Sequence, residues 1–598
     1  MINKLLIHSQ KSILLDGINF ETGEQFVFNP GANIFDIDHY ITAELDRGDL
    51  RNKILKSDVI FIKIALSENY LEYLGLRLAY HIRLSKSLEG KSATPIVFVG
   101  EESYHFLGRT TDLADILFTE GVYLIKDTSQ AYDNFIKLMA ERKIHSLGSY
   151  VDFIEKIRVA PPANYQTHHS ITNEWSILRW TDMAKNLSEV DRDEIWGLIQ
   201  TTETLYFKYL EGKSTVREQR QSFKMEKKKM PLLIPFSPED SAKVYYIDDE
   251  QRKGWGNLFS KFIFKEYTNA GRFDYCAEFP KGEQKVDLLK RLKEKIAELI
   301  ENGFNVFIID LRLCDDDFDK KEGSELSGFE LIKEIKRINE GVQIIIFTAS
   351  KRAENVTRAA ELGVNRYILK ESPEQVLTRN DSYALFQEFS AHVKDAVAKS
   401  FLASLYNTIR QIKATSLFST ETNADKKEFR DRIVGKGGIP DKIFALTEGS
   451  KSIFLSEAFL NAYKLLEKLC TFYFIASGGV ETKDSNIINV IRSSGEELWA
   501  EFELKRGYFD FQNNTETNII DVVFQSTRLN KITNLFKTVA VLKFRFNLDN
   551  DRIKKLIELN YLRSNLAAHD TGDVNTAKRQ IELSDVLFLI NLLHGFLS

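Results

Sequence analysis

Four apolar runs in the middle of this 598-residue sequence lead into side chains that can handle phosphate and a divalent metal. "KVYYIDDE" ends on Asp248 and Asp249, "NVFIID" on Asp310, "VQIIIFTAS" reaches Thr348, and "NRYILKESPE" carries Lys370. Three carboxylates gathered together repel one another unless a cation joins them. One or two carboxylates with a phosphate oxygen suit Mg2+, which keeps several of its waters. Such an ion would hold Asp310 ionised, and the Lys370 ammonium and Thr348 hydroxyl would bind the remaining oxygens of a transferring phosphoryl group.

These residues lie far apart in sequence, so the elements that carry them must bring them together. Each run is short, apolar and rich in β-branched residues, as expected of a strand covered on both faces of a parallel sheet. Between them, "SGFELIKEIKRIN" places Phe329, Ile332, Ile335 and Ile338 on one helical face, and "RAENVTRAAELG" reads as a second helix. Strands alternating with helices predict a parallel sheet with right-handed crossovers. Its carboxyl edge is where such sheets hold their ligand crevice.

With the acidic pair, the acceptor aspartate, the Thr348-Ala349 step and Lys370 in this order, residues 243–395 resemble the receiver domain of two-component response regulators. The resemblance implies a flavodoxin-like fold, Asp310 as phosphoacceptor, and Mg2+ held by Asp248, Asp249, Asp310 and the backbone of Arg312. It also implies Thr348, Ala349, Lys370 and the aromatic Tyr367 as the phosphate-binding and switch group, and a histidine kinase or phosphotransfer protein as donor. Three features depart from the family pattern: a long acidic loop, "CDDDFDKKEGSEL", follows the acceptor, the spacing from the first to the third strand is stretched, and the proline after the lysine is displaced to Pro373. Such a loop is expected to hinder or repel the phosphoryl donor.

A weaker copy of the layout comes earlier. "DVIFIK" matches "NVFIID", "YLGLRLAYHIR" matches "LSGFELIKEIKR", and "GVYLIKDTSQ" matches "VNRYILKESPE", which suggests duplication of a whole domain. Lys63 stands where Asp310 stands and Val99 where Thr348 stands, while Tyr123 and Lys126 persist. This copy resembles a degenerate receiver, because an ammonium neither ligates Mg2+ nor becomes an acyl phosphate. It is read as a docking or dimerisation scaffold, or as a domain in which Lys63 replaces the metal's charge.

After residue 400 the pattern turns helical, and "ELNYLRSNLAAHDTGD" carries Arg563, Asn565 and His569. Imidazole can take a proton from a ribose hydroxyl while guanidinium binds the phosphate, which is metal-independent RNA cleavage. The stretch resembles the Arg-polar-spacer-His motif of HEPN domains, which implies a C-terminal ribonuclease acting as a homodimer, or an inactive interaction module of that fold. The simpler reading is an unrelated bundle in which Arg563 pairs with an acid such as Glu558 and His569 caps its helix.

Composition sets the remaining bounds. A hydrophobic share of 43%, a charged share of 28% and a net charge of -5 describe a globular chain with no overall pull toward nucleic acid or anionic lipid. Cys276, Cys314 and Cys470 are too scattered for a disulfide framework or zinc site. No run approaches ~18 apolar residues, and no helix-turn-helix stands out. The expectation is a cytoplasmic multidomain protein, α/β plus all-α, without membrane anchor or DNA-binding motif. It divides into a degenerate receiver-like domain (1–130), a helical spacer (131–240), a phosphoacceptor receiver (241–398) and a HEPN-like helical output domain (399–598). A non-enzymatic, phosphorylation-controlled adaptor is the alternative function.

Overall fold

In the computed structural model the chain is described apart from residues 1, 10–22, 31–36, 68, 89, 163–167, 185–187, 200–203, 221–233, 238–240, 280–283, 318–324, 376, 450–451, 477–486, 492–497, 506–507, 512–532, 569–579 and 598. It forms two compact units, Met1–Glu334 with Ile344–Val397, and Ile335–Gln343 with Ala398–Ser598.

The first unit contains two five-stranded parallel sheets of the same topology. Strands β1 (Lys4–His8), β2 (Gly23–Val27), β3 (Val59–Lys63), β4 (Ile96–Val99) and β5 (Val122–Ile125) run in the order β2-β1-β3-β4-β5. Helices α1 (Ile37–Asp46) and α2 (Leu74–Leu84) belong to this domain. Next come α3 (His168–Met183) and α4 (Leu205–Arg220). The second sheet, of β6 (Val244–Ile247), β7 (Phe273–Tyr275), β8 (Val306–Ile309), β9 (Gln343–Thr348) and β10 (Arg366–Leu369), has the order β10-β9-β8-β6-β7, with helices α5 (Ser327–Ile338) and α6 (Arg379–Ala398). Both sheets are flavodoxin-like. The central strands β3, β4, β6, β8 and β9 are buried at every position, the physical reason they read as unbroken apolar runs.

The duplication extends to backbone detail. Gly75 N donates to Ile64 O and Gly328 N to Leu311 O, both at 3.0 Å, so each sheet's third strand is followed by a helix whose second residue is a glycine beside the strand end. Three strands of these sheets escape the alternating pattern: β1, which ends on His8, β2, and the three-residue β7.

Residues 131–240, expected as a helical spacer, include two helices, α3 and α4, that pack into the first unit. Helix α4 joins the two α/β domains: Leu205 N donates to Asp38 Oδ2 at 3.0 Å, while Ser214 Oγ donates to Leu377 O and Arg217 Nη1 to Gln375 O, both at 2.7 Å. Helix α3 is buried from Ile171 through Thr181.

The second unit is mainly helical, with α7 (Ser452–Ala476), α8 (Asn550–Ala568) and α9 (Leu583–Leu597) around a core that includes Phe459, Leu466, Leu469, Leu556, Leu559, Leu589 and Leu593. It also holds an antiparallel sheet of β11 (Ile487–Ile491), β12 (Leu498–Lys505) and β13 (Tyr508–Phe511), which an all-helical reading of this region leaves out. Among the described residues no helix is long and apolar enough to cross a membrane.

Candidate phosphoacceptor site

Parallel pairing sets the site. The β6–β8 register opposes Ile247 to Ile309, so Asp248 and Asp310 leave adjacent strands at the same level. Pairing of Thr348 with Leu369 puts Lys370 one residue beyond the threonine on the next strand. Four strand ends therefore converge, and Asp248, Asp310, Thr348 and Lys370 are at most 1% exposed.

The Lys370 ammonium is the hub. It donates to Asp248 Oδ2 at 2.6 Å, Asp310 Oδ2 at 2.9 Å and Asn173 Oδ1 at 2.5 Å. The rings of Trp255 and Phe347 lie 5.6 and 5.3 Å from it, within cation–π range. Asp310 Oδ1 accepts from the Thr348 hydroxyl at 2.7 Å and from Arg312 N at 3.2 Å. Asp248 also accepts from Glu250 N at 2.8 Å and from the Tyr246 hydroxyl. Burial works against the charged form of Lys370, but Asp248 and Asp310 outweigh it and raise its pKa.

The acidic side is under-compensated. Burial, then the charges of Asp248 and Asp310, push the Asp249 carboxyl well above the usual range, and its Oδ1 is buried without a hydrogen-bond partner. Asp248 is also raised, by burial first, although Lys370 opposes the shift. Carboxylate oxygens of Asp248, Asp249 and Asp310 lie within 4.8 Å of one another. An orphaned carboxylate oxygen beside two others fits a hard divalent cation such as Mg2+.

Tyr367 hydrogen-bonds Ser350 O at 2.7 Å in the segment after Thr348, and burial pushes its hydroxyl up to about 12. Ala349, between Thr348 and Ser350, is half-buried. Of the acidic loop after Asp310, residues 318–324 lie outside the described residues. Asp317 at its start is structural: buried, it accepts from Leu313 N and Ser327 N and pairs with Lys285 at 2.7 Å. That carboxylate is neutralised internally and adds little repulsion toward a phosphoryl donor.

The strand-end pattern gave no sign of Tyr246, Trp255 or Asn173. The first two lie on or beside the first strand of the site. Asn173 is 197 residues from Lys370 and arrives on α3. The same helix holds the segment after Lys370: Trp175 Nε1 donates to Glu371 Oε1 at 3.2 Å, Ser176 Oγ accepts from Glu371 N at 3.1 Å, and Arg179 donates to Ser382 Oγ at 3.1 Å.

In the first domain, Val99 pairs with Ile125 just before Lys126, the register in which Thr348 pairs with Leu369 before Lys370. Lys63 is buried and ion-paired with Asp127, so its charge is met by a carboxylate beside Lys126.

In the second unit, Arg563 pairs with Glu467, not Glu558, and its guanidinium lies 4.8 Å from the centre of the Tyr463 ring. His569 and the side chain of Asn565 lie outside the described residues.

Comparison with known families agrees with this geometry. Residues 19–125 match the family model described as an inactive receiver domain, and residues 275–380 match that of the response regulator receiver domain. The second match contains Asp310, Thr348 and Lys370 and starts after Asp248 and Asp249, which the β6–β8 pairing brings to the same edge. No curated protein matches the chain. The chain carries two receiver domains, an inactive one followed by one of the response-regulator type, and this pairing supports a two-component response regulator.

Proposed function

We propose that this protein is a phosphorylation-controlled response regulator whose phosphoacceptor is Asp310, supplied by a histidine kinase or phosphotransfer protein. The observation that carries the reading is the meeting of three carboxylates, the Thr348 hydroxyl and the Lys370 ammonium at one sheet edge. Asp310 offers its carboxylate to phosphorus, held in place by Thr348, Arg312 N and Lys370. Lys370, the Thr348 hydroxyl and the backbone N–H of Ala349 then receive phosphoryl oxygens. Asp248, Asp249, Asp310 and the Arg312 carbonyl would hold Mg2+, which supplies positive charge to the carboxylates and the incoming phosphoryl group. Tyr367, bonded to the Thr348 loop, is placed to report its movement.

The test is labelling by acetyl phosphate with Mg2+. Wild type should incorporate phosphate and Asp310→Asn should not; equal labelling of both would remove Asp310 from the role.

The helical region is the proposed output. In its enzymatic form this is a HEPN-like ribonuclease, dimeric, with His569 as base, Arg563 as phosphate clamp and Asn565 beside them. The second form is an adaptor that binds protein partners according to phosphorylation state. Pairing of Arg563 with Glu467 favours the adaptor, because a guanidinium already committed to a carboxylate must leave it before clamping phosphate.

A further inference from the structure

Helix α3 lies outside the β6–β10 domain in sequence, yet it reaches the phosphoacceptor hub. From Ile171 to Thr181 it is wholly buried, although that stretch includes Asn173, Glu174, Ser176 and Arg179. Buried polar side chains require partners, and these find them at the site's strand ends. Besides Asn173 on Lys370, Glu174 pairs with Lys253 at 3.2 Å, and Lys253 also donates to the Ser170 hydroxyl. The first two turns of α3 thus bridge the loop after the acidic pair and the end of β10.

An ammonium has three N–H donors. Those of Lys370 are directed at Asp248, Asp310 and Asn173. A phosphoryl oxygen on Asp310 can reach this ammonium only when one acceptor yields. Once phosphorylated, Asp310 carries the phosphoryl group on its own carboxyl, so the two outside acceptors are Asp248, a carboxylate held by a further hydrogen bond, and Asn173, a neutral amide oxygen and the weaker of the two.

Resting on the reading of Asp310 as phosphoacceptor, we propose that Asn173 is a positioning residue that occupies the place of a phosphoryl oxygen on Lys370, so that phosphorylation of Asp310 displaces the first two turns of α3. The remainder of the helix stays seated. Trp180 is packed against Trp255, Phe347, Phe386 and Phe389 with ring centres 5.0–5.3 Å away, and Trp175 and Ile177 are fully buried. Displacement therefore ends near Glu174, and Asn173 sets how readily Asp310 accepts phosphate. In the step itself, an Asp310 carboxylate oxygen forms an O–P bond while the bond from phosphorus to the donor's acetate oxygen breaks. Its electron pair leaves with acetate, and no proton or oxidant is consumed.

The full-length chain is incubated with labelled acetyl phosphate and Mg2+ as wild type, Asn173→Ala, Asn173→Asp and Asp310→Asn. Loss of the amide should speed labelling about tenfold and a carboxylate of the same size should slow it about tenfold, the scale of one hydrogen bond to a charged group. Equal rates in wild type and both Asn173 variants, with Asp310→Asn silent, would overturn the role of Asn173 and leave the phosphoacceptor intact. Absence of Asp310-dependent label in every protein would instead defeat the phosphoacceptor reading. Should Asn173→Ala fail to fold, the isosteric Asp variant and hydrogen exchange on wild type decide. With beryllofluoride and Mg2+ bound, amides of residues 171–174 should exchange faster while those of 175–181 keep their protection. Unchanged exchange at 171–174 with the mimic bound would overturn the proposal.

Discussion

Gly328 stands so close to Asp310 that a methyl group on its α-carbon would lie 2.5 Å from the Asp310 carbonyl oxygen and 2.6 Å from Leu311 Cα. Gly75 meets the Lys63 carbonyl and the Ile64 backbone in the same way. Because the contact occurs in both copies, it belongs to the duplicated fold and not to phosphate chemistry. Backbone atoms cannot turn aside as a flexible side chain can, so alanine forces the helix away from the strand end. Gly328→Ala should lower stability by about 1–3 kcal/mol and reduce acetyl phosphate labelling, because the displaced backbone carries Asp310. Gly75→Ala should lower stability by a similar amount and leave labelling unchanged. Thermal unfolding and labelling of both variants test this; equal loss of labelling would show that the disturbance is not confined to the site.

Asp249 is the carboxylate with an oxygen left over. Replacing it with asparagine removes a charge that neighbouring Asp248 and Asp310 oppose. In chelator, Asp249→Asn should therefore be at least as stable as wild type. In Mg2+ the order should reverse, since a ligand present at ten times its dissociation constant stabilises the folded state by about 1.4 kcal/mol. Thermal midpoints with and without Mg2+ measure both terms. An equal gain in wild type and variant would take Asp249 out of the metal site.

Much of the site was readable because parallel sheets carry all their carboxyl ends to one edge. Asp248, Asp310, Thr348 and Lys370 needed only strand order to meet. Asn173 could not be found in that way. Its helix mixes Thr172, Asn173, Glu174, Ser176 and Arg179 among its apolar residues, a pattern that reads as solvated. Its burial depends on Glu371, Leu377 and Ser382, about 200 residues later in the chain. The usable signal was the pair Trp175 and Trp180, two of only five tryptophans in the chain, which mark a helix with much apolar surface to hide. Strand β1 was obscured for a different reason: it ends on His8 and runs into Ser9, without the acids that mark its counterpart β6.

A buried histidine ties the first domain to α4. His81 Nδ1 faces Lys208 Nζ at 3.2 Å, and since ammonium can only donate, Nδ1 accepts and Nε2–H donates to Asp38 Oδ1 at 2.9 Å. Arg77 holds both Asp38 oxygens at 2.6 Å, and Lys208 also donates to Thr42. Burial and the Lys208 charge lower the His81 pKa from 6.5 to about 4, outweighing the attraction of Asp38. Between these values the unfolded chain binds a proton that the folded chain refuses, so stability rises with pH across this window. It should be fully present above pH 6.5 and be lost as pH falls toward 4, by up to about 3 kcal/mol. Hydrogen exchange of α2 and α4 between pH 4 and 7, with rates corrected for intrinsic pH dependence, reads this locally. Opening free energies that stay flat would show that His81 titrates alike in the folded and the unfolded chain.

The last prediction separates the two forms of output. The Glu467 side chain is 12% exposed and that of Arg563 25%, so removing the guanidinium strands a mostly buried carboxylate. Arg563→Met should therefore cost about 1–3 kcal/mol, and adding Glu467→Gln should recover most of it, because the orphaned charge is then gone. A residue whose first task is structural shows this rescue whether or not RNA is present. On the adaptor reading, labelled single-stranded RNA stays intact with the wild-type chain, both in chelator and with beryllofluoride and Mg2+. Cleavage in chelator that disappears in His569→Ala would establish the ribonuclease instead, and Glu467→Gln should then accelerate it by releasing Arg563 toward phosphate.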